Sequence, residues 1–415
     1  GLSEMPSSLT YLDLSDNQFI GNISASISNL SALEVLNLSE NELAGLIPAE
    51  LGNLTNLKWL LAGSNKLTNV IPWELSKCKN LVLLDLNDNN LYGNLPSFFN
   101  EMPSLRYVVL HSNAFQGTIP DSLFDASNLT FIDFSNNTLS GSISSSFSNL
   151  SSLAFLLLAT NGFSGGIPPE LGQLTNLQFL DLSSNYLSGS IPPTIGKLQD
   201  LLWLMLANNS LTGEIPTELG NCTSLLWLNL RSNRLTGTLP PGLATMGHDP
   251  SRIMKLNREN MNPPEALGEC LMMKRWIPEN YPPYSFQYAN IQDSTRCKSL
   301  WIELLVGSYV LSSCQEHPGG YIQLTDNMIT GSIPSILQQN RTTILLLGSN
   351  MFNGSLPGGL GELPLRYLNV SHNNLQGEIP VALSDDTCLA LLDLSYNNFS
   401  GSLPESLGNL GQLSK

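Results

Sequence analysis

The sequence predicts an α/β repeat solenoid built on a parallel inner sheet. Three observations predict it: an Asn that returns every 24 residues, a short apolar alternation before that Asn, and a Gly-x-Ile-Pro punctuation after it. The repeating Asn occupies positions 17, 41, 65, 89, 113, 137, 161, 185, 209 and 233, then resumes at 327, 350, 373 and 397. Such a fixed period is the signature of stacked coils, each unable to bury its apolar face alone.

Each element of the coil follows from its residues. In Leu12-Asp-Leu-Ser-Asp-Asn17 and its copies at Leu36, Leu84, Leu180 and Leu228, two leucines alternate with one outward residue, the period of a half-buried strand. Each leucine is worth about 1.5–3 kcal/mol once buried, but only neighbouring coils can cover it. The Asn closes the strand, where its amide can satisfy backbone groups of adjacent coils. After it comes Leu43-Ala-Gly-Leu-Ile-Pro48, repeated at Leu187, Leu211 and Phe399. There Gly permits a tight bend and Pro ends an extended stretch by removing a donor.

The L-x-x-L-x-L-x-x-N strand followed by L-x-G-x-I-P resembles the plant-type leucine-rich repeat. The resemblance covers nearly the whole chain outside one gap. It implies a second sheet and a twisted superhelix. Ile23-Ser24 and Ile143-Ser144 lack the Pro, and Asn69 stands where Gly is expected. Cys78 and Cys222, eleven residues before their ladder Asn, occupy a position that commonly holds a buried Cys or Asn in that family. As free cysteines they read as inert buried thiols.

Composition narrows the setting. The 415 residues carry a net charge of -16 with only 13% charged residues, which argues against nucleic-acid or anionic-membrane partners. No apolar run is long enough for a membrane span. The chain starts and stops inside repeats, so targeting and anchoring segments are expected outside it. Sequons at Asn22, Asn29, Asn53, Asn128, Asn149, Asn221, Asn340, Asn353 and Asn398 suit a glycosylated, secreted surface. Asn37 and Asn369 are sequons on the inner strands. Three cysteines close together, Cys270, Cys297 and Cys314, point to an oxidising compartment and one disulfide among them, with the pairing open. Cys388 falls at no recurring position.

The repeat is interrupted once. From Asn233 to Asn327 is 94 residues where one period is 24, leaving an insertion of 70. The expected organisation is repeats over 1–243, an insert over 244–319 and repeats over 320–415. The insert replaces the Leu/Asn rhythm with aromatics, among them Trp276, Tyr284 and Phe286, beside Lys274 and Arg275. A structureless loop of that length is unexpected in an ordered domain. An insertion there resembles the island domain of brassinosteroid and phytosulfokine receptor kinases. Its wording, Glu269-Cys270 to Trp276, Tyr281 to Phe286 and Cys297 to Trp301, is closer to an island-bearing branch linked to nematode-induced immunity. The resemblance implies an island that forms part of a ligand site on the solenoid's inner surface.

On the inner strands, the position six before each ladder Asn is almost always aromatic or apolar. The position four before is usually Asp or Asn, broken by Leu61, Val109, Leu157, Met205 and Leu346, and these exceptions suggest exposed contact points. Trp203, Met205, Trp227 and Arg231 precede the insert and face the same space as Tyr321 beyond it. A pocket made by these and the island aromatics is expected, with Arg231 as anchor for an acidic ligand group. Because the aromatic stripe repeats throughout, packing between neighbouring strands is its simpler explanation. No catalytic residues, metal site or cofactor are expected: His111, His248, His317 and His372 have no ligand spacing, and no nucleophile elbow or phosphate loop occurs.

The resemblance therefore implies the extracellular, apoplast-facing part of a plasma-membrane receptor kinase. It would bind a small molecule or short peptide and recruit a leucine-rich-repeat co-receptor kinase of the somatic-embryogenesis type. Its membrane span and kinase domain would lie outside this chain. The alternatives are a receptor-like protein without a kinase, or a secreted inhibitor of pathogen wall-degrading enzymes.

Overall fold

In a computed structural model, residues 6–246, 320–334, 342–384, 389–411 and 413 are described. They divide into two compact units, one running to Ser164 and the other starting at Gly165. Each unit is an open solenoid of the same coil.

In the first unit, strands Tyr11–Asp13, Val35–Asn37, Trp59–Leu61, Leu83–Asp85, Tyr107–Val109, Phe131–Asp133 and Phe155–Leu157 lie side by side in chain order, all parallel. Leu36, Leu60, Leu84 and Val108 stand in register, each at most 1% exposed, so equivalent side chains stack into one continuous core row. In the second unit the same order runs through Phe179–Asp181, Trp203–Met205, Trp227–Asn229, Gly320–Gln323, Thr342–Leu346, Tyr367–Asn369 and Leu391–Asp393. A second parallel sheet follows the ladder Asn in each unit, as the resemblance to the plant-type repeat implied. The helical part of nearly every described coil is one turn of 3-10 helix, such as Ala49–Asn53 or Thr217–Asn221, entered from an extended Pro. A coil of 24 residues leaves no room for more.

The ladder Asn is the main polar device. The Asn65 amide donates to Leu38 O at 2.9 Å, Gly63 O at 3.2 Å and Ala62 O at 3.3 Å, and its Oδ1 accepts from Leu43 N at 3.0 Å. One side chain thus stitches its own turn to the preceding coil. In the first coil, among the described residues, the Asn17 amide donates only to Leu14 O and Ser15 O of its own turn.

The residue just before the Asn adopts the left-handed conformation in every described coil, from Asp16 (φ 53°) to Tyr396 (φ 54°). Non-glycine residues pay for that geometry, and no residue preference at the position signals it in the sequence. Asn69, where Gly was expected, takes φ 74° like the glycines at that place, which Asn tolerates best among side-chain-bearing residues.

The solenoid closes over the insertion. The strand Gly320–Gln323 pairs directly with Trp227–Asn229, Trp227 against Tyr321 and Leu228 against Ile322. Asn327 donates to Leu230 O at 3.0 Å and accepts from Leu235 N at 3.1 Å, as if the intervening residues were absent. The second sheet is less tolerant: Arg234–Thr236 ends one run, Thr330–Gly331 starts another, and an isolated bridge joins Thr238 to Thr330. The 3-10 helix of the preceding coil extends to Thr245, two residues into the expected 244–319 segment.

The candidate ligand-binding face

The inner face is assembled from the outward residues of the short strands. At the position four before the ladder Asn, Asp or Asn caps the turn. Asp13, Asn37, Asp85, Asp133, Asp181, Asn229, Asn369 and Asp393 each accept, through Oδ1, the backbone N–H two residues on, at 2.9–3.1 Å. Gln323 does the same for Thr325 N through Oε1. The rule is therefore a local Asx-type turn. The apolar exceptions were expected to be exposed contact points, but Leu61, Val109, Leu157, Met205 and Leu346 are all buried. Neighbouring strands about 4.8 Å away crowd that central row from both sides.

Of the expected pocket, the structure brings together Trp203, Met205, Trp227, Arg231 and Tyr321 in the second unit. Phe179, Trp203, Trp227 and Tyr321 stack consecutively, with ring centroids 4.7, 4.9 and 4.4 Å apart and interplanar angles of 44°, 32° and 30°. Such tilted pairs add about 0.5–1.5 kcal/mol each beyond area burial. Trp203 and Tyr321 are each 2% exposed, so this stretch of the stripe packs on itself. In the first unit, Phe131 and Phe155 pair in the same way at 5.1 Å, whereas Tyr11 at the first strand is exposed.

Arg231 is not a bare anchor. Its Nε lies 3.4 Å from Asp326 Oδ2, which also accepts from Ser232 Oγ at 3.3 Å. Both charged side chains remain more than a third exposed, so the guanidinium keeps room for a second acceptor. The island residues Trp276, Tyr284 and Phe286, and Cys270, Cys297, Cys314, Cys388 and Asn340, lie outside the described residues.

Cys78 and Cys222 are fully buried free thiols that donate to Leu51 O at 3.4 Å and Ile195 O at 3.3 Å. Burial pushes them up to about 11 and about 12. Asn22, Asn29, Asn53, Asn128, Asn149, Asn221, Asn353 and Asn398 are exposed. Asn37 is buried and capping its turn, so the structure leaves no space for a glycan on that part of the inner face. Among the described residues, no three His, Cys, Asp or Glu side chains gather to hold a metal, and no helix is long and apolar enough to cross a membrane.

Parallel coils with a saturated Asn ladder and a second sheet define the class, and comparison with known families agrees. Models described as leucine rich repeat match residues 7–67, 103–163 and 175–235, and others 80–102, 364–385 and 388–410, together more than half of the sequence. The chain belongs to the leucine-rich-repeat proteins. A "Probable LRR receptor-like serine/threonine-protein kinase" of Arabidopsis thaliana is 46% identical over 115 residues, 26% of this chain and 10% of that protein. Among solved structures, a TDR receptor superposes with a TM-score of 0.77 at 29% identity, over 98% of this chain and 58% of that one. The Arabidopsis receptor kinase HAESA, in complex with the peptide hormone IDA and the co-receptor SERK1, gives 0.75 at 30% identity, over 98% and 57%. The chain thus spans little more than half of those receptor chains, and a tenth of the curated relative.

Proposed function

We propose that this chain is the extracellular ligand-recognition part of a plant receptor kinase, whose inner face and island bind a short peptide or small molecule and recruit a leucine-rich-repeat co-receptor. The observation that carries the reading is likeness over 98% of the chain to a receptor captured with both a peptide hormone and a co-receptor. PEPR1 in complex with AtPEP1 is similar over the same share, at a TM-score of 0.72. Both favour a peptide over a small molecule. A kinase domain and a membrane anchor belong to the whole protein on this reading, and an apoplastic location follows from them.

Within the second unit, the residues assigned to the ligand are Trp203, Met205, Trp227, Arg231 and Tyr321; of these Arg231 keeps the most exposed surface, and the aromatic row beside it is almost closed. On this reading the island aromatics Trp276, Tyr284 and Phe286 are assigned to the same ligand. Arg231 would grip an acidic group of the ligand without releasing Asp326. The test is ligand-dependent complex formation between this chain and a SERK1-type ectodomain, screened against synthetic secreted-peptide collections. At least one peptide should drive a stable complex with the intact chain and fail to do so once residues 244–319 are removed. Peptide-independent association, or equal activity of the truncated chain, would overturn the reading.

A further inference from the structure

Where the second sheet of the first unit leads into the 3-10 helices, four apolar side chains stand open to solvent. Leu46, Val70, Trp73 and Tyr92, on three consecutive coils, are between 46% and 62% exposed. Other coils carry polar residues at the place of Leu46 and Val70, namely Asn22, Asn94, Thr118 and Ser142. Where Trp73 stands they carry Ala49, Ser97 or Asp121. Val70 and Tyr92 directly follow the paired Asn69 and Leu91, so they stand side by side on neighbouring strands. Trp73 opens the helix Trp73–Lys77 three residues beyond Val70. Single exposed apolar residues are ordinary, but a cluster that breaks several rows on adjoining coils marks a contact surface.

Charge and glycan placement single out the same coils. Residues 1–57 and 107–164 contain acids but no Lys or Arg, whereas Lys58, Lys66, Lys77, Lys79 and Arg106 all lie between them. Lys58, Lys66 and Lys79 are paired with Glu34, Glu42 and Glu101. A net charge of -16 keeps copies of the chain apart, and this stretch repels a like-charged copy least. Residues 54–127, between the sequons of Asn53 and Asn128, contain no sequon, so no N-glycan screens them. The helix Trp73–Lys77 has Glu74 in its first turn and Lys77 in its last. Lys77 Nζ lies 4.9 Å from the centre of the Trp73 ring, and among the described residues neither Glu74 nor Lys77 has an ion pair. Two opposite, unpaired charges beside one apolar centre are self-complementary: a two-fold axis sets each against its opposite, twice. We propose that two copies of the chain associate through this surface about a two-fold axis. Val70 and Trp73 of both copies form the centre, and Lys77 of each copy faces Glu74 of the other. No residue assigned to the ligand takes part, so the inference stands apart from the ligand reading.

The test is sedimentation velocity of the intact, secreted chain over a concentration series at physiological salt. Reversible dimers with a Kd of about 1–100 μM are expected. Trp73→Ser should weaken them at least about tenfold. Lys77→Glu, which sets like charges against each other, should weaken them too. Adding Glu74→Lys to Lys77→Glu exchanges the signs and should restore the dimer. Tyr186→Ser, which removes an exposed aromatic from the second unit, should leave association unchanged. Thermal unfolding midpoints should stay constant throughout, because every substituted side chain is at the surface. A chain that is monomeric at all concentrations would overturn the inference and leave the surface to a different protein. So would dimers indifferent to Trp73→Ser, dimers weakened equally by Tyr186→Ser, or a charge exchange that restores nothing.

Discussion

Arg231 Nε and Asp326 Oδ2 meet at 3.4 Å although 95 positions separate them in sequence. The contact ties the last coil before the insertion to the first coil after it. Both side chains are more than a third exposed, so solvent screens the pair. Replacing either residue with alanine should cost less than about 1 kcal/mol in urea unfolding, and a double-mutant cycle should give a coupling of similar size. A larger coupling would show that this pair, and not the buried seam beneath it, holds the coils together across the insertion.

The seam itself should depend on the ladder amides. Asn65→Ala removes donors to Leu38 O, Ala62 O and Gly63 O and strips the acceptor from Leu43 N, all within buried surroundings. At about 1–3 kcal/mol for each buried group left unpaired, the loss should exceed about 2 kcal/mol. Asn17→Ala should be markedly milder, because that amide serves only its own exposed turn. Denaturation midpoints of the two variants, compared side by side, test the ordering; equal losses would contradict it.

Glycan occupancy follows burial more closely than the sequon alone. Asn29, Asn53, Asn149 and Asn221 each end a 3-10 helix and are exposed, whereas Asn37 is closed off and holds Ser39 N. Expression in a secretory host, followed by glycopeptide mass spectrometry, should find carbohydrate on the exposed set and none on Asn37. A glycan on Asn37 would require the first-unit inner strands to be more open than the structure shows.

Much of the fold was legible because its signals are periodic. Leucine alternation, the ladder Asn and the Gly-x-Ile-Pro turn each report a geometry that the coil must repeat, and single departures such as Asn69 did not obscure them. The inner face was read less well, because outward residues obey two demands at once. Asp133 looks like a surface acid in sequence, yet it caps a turn; Met205 looks like an exposed contact point, yet it is packed between strands. Arg231 stands out in sequence against the small residues usual at its place, but its partner Asp326 lies a full insertion away, beyond the reach of any local pattern. The left-handed residue before each Asn gave no signal at all, since Ser, Asp, Asn, Glu, Thr, His and Tyr all occupy it.

Close approach of adjacent coils makes one class of glycine irreplaceable. A Cβ at Gly52 would lie 2.2 Å from the carbonyl oxygen of Glu74 in the next coil, while at Gly408 it would meet nothing within 4 Å. Gly52→Ala must therefore push two backbones apart, at about 1–3 kcal/mol or more. Gly408→Ala should be neutral or slightly stabilising through the unfolded chain. Thermal unfolding of the two variants tests the pair, and a tolerated Gly52→Ala would mean the coils can slide.

The buried thiols give a pH dependence with a definite sign. Cys78 and Cys222 are pushed up from an ordinary value of 9.0 to about 11 and about 12, by burial alone. The folded chain therefore holds its thiol protons where the unfolded chain has released them. Below pH 9 the two states bind these protons equally and the thiols add no slope. As pH rises from 9 toward the folded values, the unfolded state carries fewer protons, so stability falls. The same burial keeps the thiolate, the reactive species, scarce. Iodoacetamide at pH 8 should leave both cysteines unmodified in the native chain and label both in urea. The native chain's unfolding midpoint should decline between pH 9 and 11, and a Cys78→Ser, Cys222→Ser variant should show less of that decline. Rapid native labelling, or a decline of the same size in the double variant, would show that these thiols are not sealed in the core.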